Sequence, residues 1–175
     1  MTASRLASAL LTCVVLAACG SNASPAPAGS SATASIPAAC SVLTADDMRY
    51  YLGSHFTATP GADAATCAYH RANSSEDAVL TVVGDLGSAA AASARLGGMG
   101  TSAPDLALLG IDEAACSADG HAVAARSGSL VVSVSYTNTS GAPSQCALRS
   151  VSWGLARAAL GVLGGQPHPS PFPTN

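Results

Sequence analysis

The sequence is short of charge, aromatics and lysine. Only 10% of its 175 residues are charged and 4% aromatic, with one Trp and two Phe, and all seven basic residues are Arg. Without lysine there is no Ser-x-x-Lys acyltransfer centre, and without G-x-S-x-G there is no nucleophile elbow of the α/β-hydrolase kind. The basic residues are scattered, and Lys+Arg 7 against Asp+Glu 10 leaves the chain at −3. Nucleic acid is therefore not an expected partner, because phosphate binding needs clustered positive charge. No C-x-x-C occurs, and the cysteines read more readily as disulfide partners than as zinc ligands, so neither a metal nor a cofactor is expected. Each of the four histidines, His55, His70, His121 and His168, stands outside any catalytic motif and reads as a surface residue. No apolar run is long enough for a spanning helix, which needs about 20 residues. The chain is expected not to be an enzyme.

What is present begins at the N-terminus. Arg5 precedes an apolar run from Leu6 to Ala18, too short for a membrane anchor and suited to the core of a signal peptide. The run ends in Leu16-Ala17-Ala18-Cys19-Gly20, which resembles the lipobox of bacterial lipoproteins: Leu three residues before the cut, two small residues, then the acceptor cysteine. The resemblance implies that residues 1–18 are removed and that Cys19 carries a diacylglyceryl thioether. Two or more acyl chains hold a protein stably on a membrane where one does not. The expected location is therefore the extracytoplasmic face of the cell membrane, in the cell envelope. Cys13 falls within the discarded leader.

Residues 19–39 follow as a tether of Ser, Ala, Pro and Gly with no charge and too little apolar surface for a core. As a flexible chain it spans roughly 25 Å root-mean-square. Residues 40–164 are expected to form one domain, and residues 165–175, proline-rich, a disordered tail. Four cysteines remain in the mature chain, Cys40, Cys67, Cys116 and Cys146. An even number in an oxidising compartment reads as a disulfide framework with three possible connectivities.

The pattern within 40–164 predicts an α+β fold: an antiparallel sheet of about four or five strands, covered by an N-terminal and a long C-terminal helix. Thr44 as N-cap, Asp47 at N3 and a Leu43 to Met48 staple open the first helix, which Gly53 ends. Met48, Tyr51 and Leu52 are expected on its buried face, and Asp46 and Asp47 are first-turn acids favoured by the helix dipole. Strands are expected at 65–71 and 78–83, and a Ser88-capped helix to Leu96 that stops at Gly97-Gly98, with a loop over 97–105. From His121 to Tyr136 a hairpin turns at Ser127-Gly128, with Leu130, Val132, Val134 and Tyr136 on the buried face and Val131, Ser133, Ser135 and Thr137 on the polar one. The last helix is expected from Ser144 to Leu163, with Leu148, Val151, Leu155, Ala158, Ala159 and Val162 at core spacing.

Cys40-Ser41-Val42-Leu43-Thr44, Asp46-Asp47, Leu52-Gly53 and Cys67-Ala68-Tyr69 together resemble a family of actinobacterial envelope lipoproteins, typical of mycobacteria and their relatives. That family carries a domain of unknown function opening with Cys-x-Leu-Leu-Thr and continuing to Cys-x-Trp or Cys-x-Tyr. Gly110-Ile111-Asp112-Glu113-Ala114 resembles its Gly-Asp-Glu-Ala turn, with Ile111 where the family has Gly. The resemblance implies an α+β fold and a Cys40–Cys67 disulfide, and no activity. Cys116 and Cys146 are then left to each other, closing a loop of about thirty residues around the hairpin.

Arg149, Trp153 and Arg157 stand at i, i+4 and i+8 of the last helix, beside its apolar stripe, and are the expected interaction surface; Arg and Trp dominate interface energetics. The expected role is a non-catalytic module that binds an envelope protein, glycan or lipid. A sensing or accessory subunit of a membrane partner is the alternative, and an unrecognised hydrolase comes third.

Overall fold

The computed structural model describes residues 37–103, 111–138, 146 and 150–168, all within one compact unit. The expected leader, Cys19 and most of the tether lie outside these residues. Among them are four helices, α1 (Ala39–Val42), α2 (Ala45–Leu52), α3 (Ala89–Gly97) and α4 (Val151–Leu163). Seven strands accompany them: β1 (Phe56–Pro60), β2 (Thr66–Arg71), β3 (Asp77–Asp85), β4 (Thr101–Ser102), β5 (Glu113–Cys116), β6 (Ala122–Ser127) and β7 (Leu130–Thr137). The fold is α+β, and every strand pairing is antiparallel, in the order β1-β2-β3-β7-β6-β5-β4.

The sheet is thus wider than the four or five strands expected. The additions are β1, whose FTATP buries only Phe56, the two-residue β4 inside the expected 97–105 loop, and the Ala-rich β5. β4 and β5 carry no alternation of apolar and polar residues, and β1, where Phe56 and Ala58 alternate with Thr57 and Thr59, is only five residues long and ends in Pro60. β5 also takes over Glu113 and Ala114, which the family resemblance placed in a turn, and Ile111 just before it is 2% exposed.

One sheet face carries the main core. Phe56, Cys67, Tyr69, Leu80, Val82, Val123, Ala125, Val132, Val134 and Tyr136 point into it, beneath α1, α2 and α4. The opposite face is covered at the β5-β6-β7 end by α3, which buries Ala92 and Leu96 against Ala115, Ala124 and Val131. Successive strand residues face opposite ways, so Val131 is buried by α3 while Val132 is buried by α4. Val131 does share a face with Ser133 and Ser135, but the expectation that this face is polar throughout is corrected, because α3 covers it at Val131. The hairpin turn is one residue later than expected: Ser127 pairs with Leu130, leaving Gly128 and Ser129 in the loop, with Gly128 at φ 59°. A bulge between Val82 and Gly84 shifts the β3–β7 register, and Gly84 accommodates it at φ 122°, a conformation costly for other residues.

Two disulfides brace the layers. Cys40 in α1 is bonded to Cys67 in β2, and Cys116 at the end of β5 to Cys146 ahead of α4.

The last helix departs from expectation in length and in face. It begins at Val151, with Ser150 as N-cap accepting from Trp153 N, and not at Ser144. Its buried residues are Ser152, Trp153, Leu155, Ala156, Ala159 and Leu160. That face is rotated by about a quarter-turn from the expected one. Val151, Ala158 and Val162 are only partly buried, and Leu148 lies outside the described residues.

Candidate functional site

α2 is built as its local sequence dictates. Thr44 Oγ1 accepts from Asp47 N at 3.2 Å, Thr44 N donates to Asp47 Oδ2 at 2.6 Å, and Gly53 closes the helix at φ 67°. Met48 and Leu43 are buried at its base. Asp47 does more than cap. It is 1% exposed, and its Oδ2 also accepts from Thr44 Oγ1 at 2.8 Å and lies 2.8 Å from His168 Nδ1. A buried carboxylate is tolerated because each of these contacts offsets its desolvation. Beside it, Tyr69 Oη donates to Leu43 O at 2.6 Å, and burial, helped by the Asp47 charge, pushes the Tyr69 hydroxyl far above its ordinary pKa.

The outer side of the same helix carries the large hydrophobic residues that remain exposed among the described residues. Tyr50 is 51% and Tyr51 40% exposed, so the expectation that Tyr51 is a core residue is corrected. Asp47 takes the inward position one turn earlier, together with Met48. The two rings meet edge to face, 5.1 Å between centroids and 88° between planes, the arrangement that aligns a ring's positive edge with its neighbour's negative face. Arg49 is exposed between the cap and the rings. α2 packs against α4, where Arg157 is exposed and its charge reaches the Tyr51 hydroxyl. Partial burial raises the pKa of that hydroxyl, Tyr50 and Asp47 add to the rise, and Arg157 opposes it.

Of the three residues expected to form an interaction stripe, Trp153 and Arg157 lie within the described residues. Trp153 is 3% exposed and packs in the main core, so its expected partial exposure is corrected. The rotation of α4 carries the indole inward and leaves Arg157 at the rim, while Arg149 lies outside the described residues. What the sequence reading missed is that the exposed aromatics are on α2. The adjacent pair Tyr50-Tyr51 was the available signal, since two neighbours on a helix cannot both face the core squarely.

No protein-family model, curated protein or solved structure matches this chain. Its own geometry must therefore carry the functional argument.

Away from α2, a cavity of about 240 Å³ lies between α3 and β5, lined by Ser93, Leu96, Ser102 and Glu113 among others. Glu113 accepts from Arg126 Nη2 at 2.6 Å and from Ser93 Oγ at 2.7 Å, and these bonds hold its carboxyl at about 2, below its ordinary value. Arg126 also donates to Asp112 and to Gly128 O. The carboxylate is thereby spent on the β6–β7 turn. His70 pairs with Asp77 at 2.7 Å on the surface, and His55 and His121 are exposed. Among the described residues no group of three or more His, Cys, Asp or Glu is placed to hold a metal ion, and no helix is long and apolar enough to cross a membrane.

Proposed function

We propose that this chain is a lipid-anchored extracytoplasmic envelope lipoprotein whose folded domain is a non-catalytic interaction module for an envelope protein. The observation that carries the anchoring is Leu16-Ala17-Ala18-Cys19, placed after an apolar leader and ahead of an uncharged tether. Two disulfides in the domain suit an oxidising compartment, and the likeness of the Cys40 to Tyr69 motifs to actinobacterial envelope lipoproteins points the same way.

The partner surface we assign is the ridge of Tyr50 and Tyr51 on α2 with Arg157 beside it. Tyr and Arg are the residues that interfaces concentrate in their cores. Rigid aromatic rings lose little entropy on docking, and each offers a hydroxyl for orientation. A protein partner is favoured over a small apolar ligand because the exposed aromatics form a ridge and not a pocket.

Two measurements test the reading. Metabolic labelling with a fatty acid should mark the protein and fail to mark Cys19→Ala; label retained by that variant would end the anchoring claim. Crosslinking in intact cells should capture an envelope protein with the parent chain and lose it with Tyr50→Ser plus Tyr51→Ser. Equal capture by both removes the ridge as the partner surface.

A further inference from the structure

One edge of the sheet is open, and the direction of its backbone groups follows from the pairings beside it. In an antiparallel ladder, residues that bond to the neighbouring strand alternate with residues whose N–H and C=O point away from it. Gly61 N donates to Thr66 O at 2.8 Å, with Pro60 opposite Cys67, so Thr59 and Thr57 are the β1 residues that bond to Ala68 and His70. The other side of β2 agrees. Arg71 N donates to Glu76 O at 3.1 Å and Val82 N to Ala65 O at 2.8 Å, so the odd-numbered residues of β2 bond to β3 and the even-numbered ones to β1. Phe56, Ala58 and Pro60 therefore turn their backbone groups outward, and among the described residues nothing bonds to them. That row offers the N–H of Phe56 and of Ala58 and the C=O of all three, since proline has no N–H.

We propose that β1 pairs antiparallel with β1 of a second copy of this chain, about a two-fold axis at Ala58, so that the seven-stranded sheet continues into that of its copy. The pairing uses the backbone of β1 and not the tyrosine ridge, and it stands whether or not the ridge binds a partner. The opposite edge of the sheet shows the contrast. β4 is two residues long, and a very short edge strand is one device by which proteins keep an edge from pairing. β1 has five residues, an unbroken register with β2 and no charged side chain from Phe56 to Ala62. Its one blunting device is Pro60, at its end.

The side chains and the proline select a second copy as the occupant. With Ala58 on the axis, Ala58 N donates to Ala58 O of the copy and its own C=O receives the same bond in return. Phe56 N donates to Pro60 O of the copy, again twice by symmetry, so the N–H that Pro60 lacks is needed only by the Phe56 C=O, which is left to water at the end of the ladder. On the other face Thr57 meets Thr59 of the copy; both are exposed, and threonines opposite each other across strands are a favourable pair. Ala58 has nothing beyond its Cβ to collide with itself. A two-fold axis sets the same patch against itself, so a charge beside it would face its own kind, and this segment has none. A foreign extended segment could use the same backbone row, but the match of 56 with 60 and of 57 with 59 is one this chain supplies by itself.

The test uses the chain from residue 19 on, with Cys19→Ala so that its other cysteines are the two bonded pairs. One preparation carries Thr57→Cys and a second carries Thr59→Cys. In the proposed register these positions face each other at about 4.5 Å between Cα atoms, whereas each lies roughly 7–8 Å from its own counterpart on the diagonal, too far to bridge. Mild oxidation of the mixture should therefore give a covalent dimer about tenfold faster than oxidation of either preparation alone. Oxidation traps pairs as they form, so a weak dimer is read as well as a tight one. Adding Ala58→Pro to both preparations removes an outward N–H and spares the bonds to β2, and it should abolish the advantage of the mixture. Adding Thr59→Lys to the first and Thr57→Lys to the second sets two ammonium groups opposite each other and should slow the mixture about threefold. Melting temperatures check folding, and if Ala58→Pro unfolds the chain, the lysine pair decides alone. A mixture no faster than its components would overturn the proposal. So would linkage that is fastest within Thr57→Cys alone, or that is indifferent to the lysine pair.

Discussion

Truncation of Trp153 discriminates most sharply between a surface and a core role for the only tryptophan. Its side chain is 3% exposed and lies in the main cluster with Leu155, Ala156 and Leu160, under β6 and β7. Trp153→Ala removes a large buried aromatic and leaves a cavity, at a cost of about 3–5 kcal/mol. For a domain of this size each kcal/mol moves the melting temperature by roughly 3 °C, so the variant should melt about 10–15 °C lower. The indole Nε1 adds a second, subtler expectation. It is buried with no hydrogen-bond partner, and an unsatisfied buried donor costs about 1–3 kcal/mol. Trp153→Phe removes that donor along with some packing, so its losses should partly cancel, leaving a drop below about 5 °C. Arg157→Ala, at the rim, should stay within about 2 °C, in line with the ±0.5 kcal/mol usual for surface changes. Circular dichroism melts of the oxidised protein measure all three. An alanine variant within 5 °C of the parent, or a phenylalanine variant as damaged as the alanine one, would refute the placement of the indole.

Replacing Cys116 and Cys146 together by Ser should cost about 3–4 kcal/mol in urea unfolding, because the bond closes a loop of sequence separation 30; a loss under 1 kcal/mol would show that the bridge constrains little. Glu113 supplies a pH dependence. The hydrogen bonds from Arg126 and Ser93 lower its folded pKa from 4.5 to about 2. The stability they contribute is therefore complete above about pH 4.5 and is lost as pH falls from there through about 2. Urea midpoints measured from pH 7 to pH 2 should fall over that window and lose part of the slope in Arg126→Gln; an identical slope in the variant would remove Glu113 as its source.

The parts of this fold that were legible in the sequence are those with local causes. The Thr44–Asp47 capping box, the Ser88 cap of α3 and the β6–β7 hairpin each depend on residues within a few positions of one another, and each is present. β4 and β5 are strands only because neighbours offer them backbone partners, and TS and EAAC carry no sign of that, whereas the alternation in FTATP is a strand signal that the sequence reading passed over because it is short and ends in proline. The face of α4 was misread because small residues lie all around it: Ala156, Ala158, Ala159 and Gly161 allow several apolar stripes, and only contact with β6 and β7 selects one. The contact of His168 with Asp47 joins positions 121 apart, beyond any local signal. The exposed tyrosines were visible as residues but not as a ridge, because their exposure depends on how α2 seats against the sheet and α4 and not on any local pattern.

The strand order has a consequence for how the chain folds. Strands β1 to β3 form one meander of sequence neighbours and β4 to β7 another, so five of the six pairings along the sheet are local steps and only the one in the middle, β3 with β7, is not. That pairing runs from Asp77 opposite Thr137 to Asp85 opposite Leu130 and closes the whole intervening chain, α3 included, into one loop. Loop closure is the entropic toll that slows β proteins, and here it falls almost entirely on a single event. The two meanders can form independently and early; the central seam, when it zips, completes both faces of the core at once.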